Sequence, residues 1–197
     1  MIKYKIPKRS YSGEKWKTNS INKKYLSKDF NNRCAYCDDL DNIYAGQESY
    51  AVEHFAPKEK FPHLKFVYDN LLYACPFCNR AKSDDWPSDD PNKNIVGECG
   101  YVSPCSIEYS YHLDRDEKTG EIYSKTKLGE YMYNHLKLYL KRHAIIYMLD
   151  KLYKTIEELK ESIITDKSKG VDVTIKEQVL SDYKDDFVDY YGKIRNL

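Results

Sequence analysis

Two Cys-x-x-Cys pairs limit what this 197-residue chain can fold into more than any other feature. The first pair is Cys34 and Cys37, and the second pair is Cys75 and Cys78. A two-residue gap lets one turn of the chain place both sulfurs on one ion, and four thiolates can close a tetrahedral Zn²⁺ site. The alternatives are four thiols without metal and a redox centre, but a redox pair would leave the other pair unexplained. We expect a structural zinc that contributes folding free energy to a module with little core of its own.

The compartment expected for the chain agrees with a metal site. Its first ten residues contain no apolar core of secretory length, and its longest apolar run, 144–149, is far too short to span a membrane. We therefore expect a cytoplasmic protein with no membrane partner, and in that reducing compartment cysteine pairs favour metal binding over disulfides. Cys99 and Cys105 lie outside the pattern, and we interpret them as ordinary thiols.

Between and beside the cysteine pairs, the chain carries residues that suit a second, different metal site. Glu53 and His54 are adjacent. A carboxylate suits a hard cation such as Mg²⁺ or Mn²⁺, and an imidazole with a pKa of about 6.5 can accept a proton from water near neutral pH. Asn79 directly follows the last cysteine and can offer an amide oxygen to the same cation. Asn70 is better suited to hydrogen bonding the backbone of the loop that precedes it.

Basic residues predict contacts with phosphate. Lys58 and Lys82 could each meet phosphate oxygens, although each could equally be an ordinary surface lysine, and we place Arg80 in the same nucleic-acid-binding set. Residues 1–33 hold ten Lys and Arg against two acidic residues, a net charge of +8, whereas the rest of the chain carries a net charge of −7. Such a basic segment attracts a phosphate backbone, and a solvated tail is the alternative.

Sequence patterns around the motifs predict a strand, a loop, a second strand and a helix. Residues 50–52 form the first predicted strand, with the Glu-His pair at its end. Prolines exclude regular structure over 55–69, and residues 71–74 suit a second short strand. Pro76 suits the first turn of a helix that runs to about Asp84.

Three further segments complete the predicted architecture. Residues 14–30 predict an amphipathic helix with lysines between its apolar positions. Residues 109–114 and 121–124 predict a β-hairpin, with Gly120 at the positive-φ position of its turn. From Lys127 onward, two apolar series with helical spacing predict an antiparallel helical hairpin. Packing within the chain is the favoured role of its apolar faces, and an assembly surface is the alternative.

The order and spacing of these motifs resemble those of the HNH endonuclease superfamily in its zinc-knuckle form. The motifs are Cys-x-x-Cys, Glu-His-x-x-Pro-Lys, Asn-Leu and Cys-x-x-Cys-Asn-x-x-Lys, and they cover about residues 34–84. Glu53 stands where many members have Asp, and Asn79 stands where the last residue of the family motif is His. The resemblance implies an α+β fold with a small ββα-metal core and a structural zinc, flanked by an N-terminal basic helix and a C-terminal helical hairpin.

Carried over position by position, the same resemblance implies roles for individual residues. His54 would be the general base, Glu53 and Asn79 would bind a catalytic Mg²⁺ or Mn²⁺, and Asn70 would be the structural asparagine. The reaction would be hydrolysis of nucleic-acid phosphodiester bonds, with DNA as the favoured substrate, by a water molecule that His54 activates.

A second, looser resemblance concerns the sequence beyond this core. The tract 100–105, the hairpin ending at Gly120 and the helix that follows are similar to HNH proteins of bacterial anti-phage systems, the Septu-type and retron-associated group. This resemblance implies an ATPase partner that restrains the nuclease until infection. On this basis we divide the chain into a basic arm and helix (1–33), a nuclease core (34–126) and a helical region (127–197), with the helical region as the docking surface.

A zinc-stabilised nucleic-acid-binding or scaffold module without catalysis is the competing interpretation. The residues Glu53, His54 and Asn79 argue against it, because a binding module has no need of a base together with a hard-metal site. No separate sequence-reading domain is visible, so we expect little site specificity from this chain alone.

Overall fold

The computed structural model describes residues 2, 5–10, 19–43 and 46–196 of the chain. Helix α1 (Asn19–Asp29) is the part of the predicted helix 14–30 that falls within these residues, and 14–18 lie outside them. The chain divides into two compact units, Met1–His143 and Ala144–Leu197. The predicted domain boundaries at 33/34 and 126/127 stay predictions.

A two-stranded antiparallel sheet followed by a short helix forms the centre of the first unit. Strand β1 (Ala51–His54) pairs with strand β2 (Leu71–Ala74), so that Glu53 lies opposite Leu72 and His54 lies opposite Leu71. All four residues of β2 are buried, as expected for a short apolar run with no polar face. Both predicted strands are therefore confirmed, and β1 extends through the Glu-His pair instead of ending before it.

Helix α2 (Pro76–Lys82) follows β2 directly, which confirms the predicted helix with an end two residues earlier. Its N-cap is Cys75, whose sulfur accepts a hydrogen bond from the backbone N–H of Cys78 at 3.4 Å. Pro76 occupies the first turn, where a missing N–H costs nothing. Ser83 ends the helix with φ +49°, in a region of backbone space that non-glycine residues rarely adopt.

The rest of the first unit consists of short strands and helices. Tyr109–His112 form a helical turn, so the predicted strand 109–114 is correct only from Leu113 onward. Gly120 has φ +75°, which confirms its predicted place in the turn. The elements are β3 (Ile95–Val96), β4 (Cys99–Gly100), α3 (Tyr109–His112), β5 (Leu113–Arg115), β6 (Ile122–Ser124) and α4 (Lys127–His135). The fold is therefore α+β, as predicted.

Buried tyrosines make up much of the core of this unit. The Tyr73 hydroxyl donates to Asp41 Oδ2 at 2.6 Å, and the Tyr109 hydroxyl donates to the backbone oxygen of Tyr36 at 3.0 Å. A buried tyrosine combines a large apolar ring with a hydroxyl that needs a partner, and these contacts provide the partner. The tyrosines thus serve packing around the sheet.

The second unit contains two long helices. Helix α5 (Lys141–Ser168) begins just before this unit, and helix α6 (Thr174–Arg195) follows a turn in which Gly170 has φ +71°. The two predicted C-terminal helices are confirmed, although α5 continues through most of the break expected at 165–170. No residue of α6 is buried. In the described part of the chain, no helix is long and apolar enough to cross a bilayer.

Candidate active site

The four cysteines of the two Cys-x-x-Cys pairs converge on one point. All four are buried, and their sulfur atoms lie within 4.8 Å of one another. The Sγ atoms of Cys37 and Cys75 are 3.7 Å apart. A tetrahedral Zn²⁺ with bonds of about 2.3 Å would place its sulfurs about 3.8 Å apart, so the cluster has the dimensions of a closed zinc site.

The protonation of these thiols also fits a metal. Burial raises the pKa values of Cys37, Cys75 and Cys78. Burial opposes ionisation of Cys34 as well, but hydrogen bonds from the other three thiols hold its pKa well below the usual value. A Zn²⁺ bound here would lower the pKa values of the thiols and displace their protons.

Three residues that the sequence interpretation missed hold the first cysteine pair in place. Arg115 Nη2 donates to the backbone oxygen of Cys37 at 2.6 Å, and Arg115 Nη1 donates to the backbone oxygen of His143 at 3.1 Å. His143 Nδ1 lies 2.7 Å from Asp39 Oδ2, and both side chains are 1% exposed. No local pattern could have found these residues, since Asp39 and His143 are 104 positions apart.

The described chain contains two groups of residues that could hold a metal. The first is the four-cysteine cluster, and the second consists of Cys37, Asp39 and His143. Asp39 and His143 are joined to each other by the hydrogen bond between Asp39 Oδ2 and His143 Nδ1. Because Cys37 already completes the four-thiol set, we interpret the Asp39–His143 bond as a structural tie. It joins the first cysteine pair to the start of α5.

A cavity of about 640 Å³ opens between the end of β1 and the exposed side of α2. The predicted site residues on its wall are Glu53, His54, Lys58, Asn79 and Arg80. The zinc cysteines themselves are not part of this wall. Because Cys78 and Asn79 are consecutive in α2, the thiol cluster also sets the position of the cavity.

The cavity wall contains further residues that the motifs did not indicate. Ser83 and Asp84 line it from the end of α2, and Glu59 lines it from the loop. Residues 76, 79, 80 and 83 all line the cavity and follow i, i+3, i+4, i+7 spacing, which places them on one face of the helix. That periodicity is the sequence pattern that could have predicted Ser83 as a site residue.

Glu53 is a buried carboxylate with one strong partner. Its side chain is 7% exposed, and its Oε1 atom lies 3.2 Å from the Lys82 ammonium. The hydroxyl of Tyr36 donates to the same oxygen at 3.5 Å. Burial raises the pKa of Glu53 to about 7, against the opposing effect of the Lys82 charge. Near neutral pH, a further cation close to this carboxyl would therefore favour its ionised form.

His54 is held in a form suited to accept a proton. Its Nε2 atom lies 3.0 Å from the backbone oxygen of Lys65. A carbonyl oxygen can only accept, so Nε2 carries the hydrogen and Nδ1 is the unprotonated nitrogen. Burial lowers the pKa of His54 below its ordinary value. The ring is therefore neutral at physiological pH, as a general base must be.

Asn70 joins the two ends of the loop between β1 and β2. Its Oδ1 accepts from the backbone N–H of Ala56 at 2.8 Å, and its Nδ2 donates to the backbone oxygen of Ala56 at 2.9 Å. The backbone oxygen of Asn70 also accepts from the N–H of Phe55 at 2.8 Å. These bonds fix the chain immediately after His54. Asn70 thus contacts the loop backbone and is not part of the cavity wall.

The three predicted phosphate-binding residues differ in exposure. Lys58 is half-buried and lies 3.6 Å from Glu59, and Arg80 is exposed. Lys82, in contrast, is completely buried, and its ammonium contacts Glu53. A phosphate contact by Lys82 stays a prediction, and its interior position favours a different role.

The site thus combines groups with complementary chemistry on one wall. A carboxylate and an amide oxygen are ligands for a hard divalent cation, and a neutral imidazole can take a proton from water. Basic side chains at the rim suit a phosphate group. This combination fits hydrolysis of a phosphodiester.

Comparison with known sequences agrees with this site. Residues 34–85 match the model of the family "HNH endonuclease". The segment is therefore an HNH endonuclease domain, and the resemblance inferred from the motifs is confirmed. The matched residues contain all four clustered cysteines together with Glu53, His54, Asn70 and Asn79.

Among whole proteins, the chain is similar to Septu proteins of bacilli. It is 29% identical over 192 residues to the Septu protein PtuB of Bacillus mycoides (strain KBAB4), covering 86% of this chain and 62% of that protein. It is 28% identical over 164 residues to the Septu protein PtuA of the same strain, covering 74% of this chain and 23% of that protein. A Septu protein PtuB of Bacillus thuringiensis is 43% identical over 53 residues, 26% of this chain and 20% of that protein.

These similarities confirm the Septu-type resemblance, whereas its retron-associated part stays a prediction. The chain spans less than two thirds of the length of each of these relatives. No solved structure matches the chain.

Proposed function

We propose that this protein is a metal-dependent HNH endonuclease that hydrolyses phosphodiester bonds of nucleic acid, with DNA as the favoured substrate. One observation carries the proposal: Glu53, His54 and Asn79 line a single cavity beside a buried four-thiol cluster. A scaffold or binding module would need the thiol cluster alone. The open cavity with a base and two oxygen ligands has a use only in catalysis.

Two metal sites with different chemistry follow from the donor atoms. The four buried thiols of Cys34, Cys37, Cys75 and Cys78 would hold Zn²⁺ and stabilise the junction of β2 and α2. The oxygens of Glu53 and Asn79 would hold Mg²⁺ or Mn²⁺. When bound, this divalent ion would stabilise the charge on the pentacoordinate phosphate and on the leaving 3′-oxygen.

His54 performs the proton transfer in this proposal. The hydrogen bond from Nε2 to the backbone oxygen of Lys65 fixes the ring plane and the tautomer. Nδ1 then takes a proton from the attacking water, which becomes a hydroxide-like nucleophile. Asn70 keeps the residues after His54 in place through both backbone groups of Ala56.

Lys58 and Arg80 bind the phosphate backbone at the rim. They line the cavity from different elements, since Lys58 belongs to the loop after β1 and Arg80 to α2. Charged donors of this kind position a phosphate without reading its sequence. The enzyme should therefore cut many sequences.

Replacement of His54 tests the catalytic proposal. The wild-type protein and His54→Ala should be incubated with plasmid, single-stranded DNA and transfer RNA in Mg²⁺ or Mn²⁺. We expect metal-dependent cleavage by the wild type and a loss of about 10² to 10⁴-fold in rate for the variant, the usual contribution of general base catalysis. Zinc content and circular dichroism should be unchanged, because the side chain is not part of the thiol cluster.

His63→Ala is the matched control for this experiment. His63 is a histidine of the same loop that does not line the cavity, and its replacement should leave the rate unchanged. Full activity of His54→Ala would refute the assignment of the base. No cleavage of any substrate by the wild type, with or without a partner, would favour the inactive binding module.

We further propose that the protein acts in anti-phage defence together with an ATPase partner. The support is its similarity to the Septu proteins PtuA and PtuB and the exposed apolar side chains of its C-terminal helices. Ile164 is 70% exposed, Ile175 is 80% exposed and Val188 is 67% exposed. We assign the docking surface for the partner to this helical region.

Co-expression tests this part of the proposal. The full chain should form a stable complex with the product of a neighbouring ATPase gene, and deletion of 165–197 should weaken it. His54→Ala should bind the partner as well as the wild type does, since the cavity is not part of the docking surface. Failure of the full chain to form a complex under any nucleotide condition would refute the partnership and leave the nuclease proposal intact.

A further inference from the structure

Lys82 occupies a position that a phosphate-binding lysine would not have. Its side chain is 0% exposed, and its ammonium lies 3.2 Å from Oε1 of Glu53. The same ammonium donates to the backbone oxygen of His54 at 3.3 Å. One cation on α2 thus contacts both residues at the end of β1.

Two aromatic rings lie beside this ammonium. The Lys82 Nζ atom is 5.8 Å from the ring centroid of Trp86 and 5.3 Å from that of Tyr101. These are cation–π distances, and such contacts strengthen when the cation is desolvated. The Tyr101 hydroxyl in turn donates to Asp85 Oδ2 at 2.5 Å. The rings and the two oxygens leave the ammonium little freedom to turn toward the solvent.

We infer that Lys82 is a positioning residue of the catalytic centre. It holds the Glu53 carboxylate and the His54 backbone at a fixed position relative to Asn79. The inference rests on the proposed nuclease function. Asn79 and Lys82 are three residues apart in α2, so the ammonium fixes the distance between the helix that carries one metal ligand and the strand that carries the other.

The energetics of burial favour positioning over stability as its role. A buried ion pair often contributes little net stability, because the desolvation of both charges offsets their attraction. An unpaired buried carboxylate, however, is costly and would turn toward water or another donor. The ammonium therefore keeps Glu53 at the cavity wall, with the orientation that a metal ligand requires.

The test compares Lys82→Met with Lys82→Arg. The Met variant keeps most of the apolar stem and removes the charge, whereas the Arg variant keeps the charge with a different donor geometry. We expect Lys82→Met to reduce kcat at least about tenfold and to raise the Mn²⁺ concentration for half-maximal binding about tenfold, which equals about 1.4 kcal/mol. Lys82→Arg should lie between the Met variant and the wild type. Zinc content should stay at the wild-type level in both.

A double-mutant cycle separates positioning from a general structural effect. In a Glu53→Gln background, Lys82→Met should cause little further loss of Mn²⁺ binding, because its effect passes through Glu53. Lys125→Met is the control, since that lysine is 35% exposed and pairs with Asp114 at the surface. It should bind Mn²⁺ and cleave as the wild type does.

The possible results lead to distinct conclusions. Tighter Mn²⁺ binding with unchanged kcat in Lys82→Met would overturn the inference, because the ammonium would then only compete with the metal. Additive losses in the cycle would overturn it as well. If Lys82→Met does not fold, Lys82→Arg takes its place in the cycle, and a loss of Mn²⁺ binding in Lys82→Arg that is additive with that of Glu53→Gln overturns the inference. A wild type that binds Mn²⁺ without cleaving nucleic acid would refute the nuclease proposal, while the binding measurements would still test Lys82.

Discussion

The four-cysteine cluster and the Glu53–His54–Asn79 cavity share helix α2 but are opposite in character. The cluster is closed, with four soft ligands that are 0 to 1% exposed. The cavity is open and polar, and its ligands are hard oxygens. Cys78 and Asn79 are neighbours in α2, so the two sites are one peptide bond apart.

The two sites depend on different features of the chain. Local chain spacing places the cysteines in pairs, and one ion can gather the two pairs. The cavity instead depends on long-range contacts, because Glu53 is oriented by Lys82 and the loop after His54 is held by Asn70. A change within a Cys-x-x-Cys pair should therefore destroy the cluster directly, whereas a change at Lys82 or Asn70 should alter the cavity and leave the zinc in place.

Cys75→Ser should give the largest effect, because it breaks the cluster and the cavity together. Cys75 is both a zinc ligand candidate and the N-cap of α2. Structural zinc contributes apparent binding free energies of about 10 to 16 kcal/mol in small zinc modules, which is as large as the whole stability of a typical domain. We expect loss of zinc by metal analysis, loss of cooperative unfolding and loss of cleavage.

Cys99→Ser is the matched control for this prediction. Cys99 is an exposed cysteine outside the cluster, and its replacement should change neither zinc content nor unfolding. If Cys75→Ser retained a cooperative transition and full cleavage, the cavity would not depend on the cluster, and the coupling through Cys78 and Asn79 would be wrong.

Sequence reasoning recovered the parts of the molecule that short-range patterns determine. It placed β2 at its observed bounds, began α2 at Pro76 and identified all four cysteines of the cluster. Each of these features depends on neighbours within a few residues, such as a proline at a helix start or a two-residue gap between thiols. It also placed Glu53 and His54 together at a strand end, which the register of β1 confirms.

The remainder depends on contacts between distant segments. No local sequence pattern indicates the hydrogen bond between Asp39 and His143, the hydrogen bonds of Arg115 or the buried position of Lys82. Because lysine is charged, the sequence alone suggests that the lysine three residues after Asn79 lies at the surface. Only the pairing of β1 with β2, and the packing of α2 against them, reveals that its side chain points into the core.

The pH dependence of cleavage should have an acid limb that moves with metal concentration. The pKa of Glu53 is raised to about 7 by burial, and the pKa of His54 is lowered by burial, so acidification first protonates Glu53, the carboxylate that we propose as a metal ligand. Protons and Mg²⁺ then compete for this carboxylate. At low Mg²⁺ the rate should fall about tenfold per unit below pH 7, and higher Mg²⁺ should shift this limb to lower pH.

Profiles of the cleavage rate against pH, measured at two Mg²⁺ concentrations that differ by a factor of about 100, would show this shift, because a proton and a metal ion compete for one site. An acid limb that stays at the same pH would show that Glu53 does not bind the metal. A rate that falls as the imidazole of His54 loses its proton would contradict the role of His54 as base. The zinc content should stay constant over this range, because the thiol cluster is closed to solvent.

The smallest effect should come from the rim of the cavity, where Lys58 acts as a point charge. Its side chain is 40% exposed, so Lys58→Ala should weaken nucleic-acid binding only about two- to tenfold and reduce the slope of log affinity against log salt by about 0.7 to 0.9. Lys125→Ala removes a lysine of similar exposure, 35%, that does not line the cavity. Fluorescence anisotropy with a labelled oligonucleotide at several salt concentrations measures both variants. Equal slopes for the two variants would remove Lys58 from the phosphate contacts, and a loss of zinc in Lys58→Ala would show that rim and cluster are not independent.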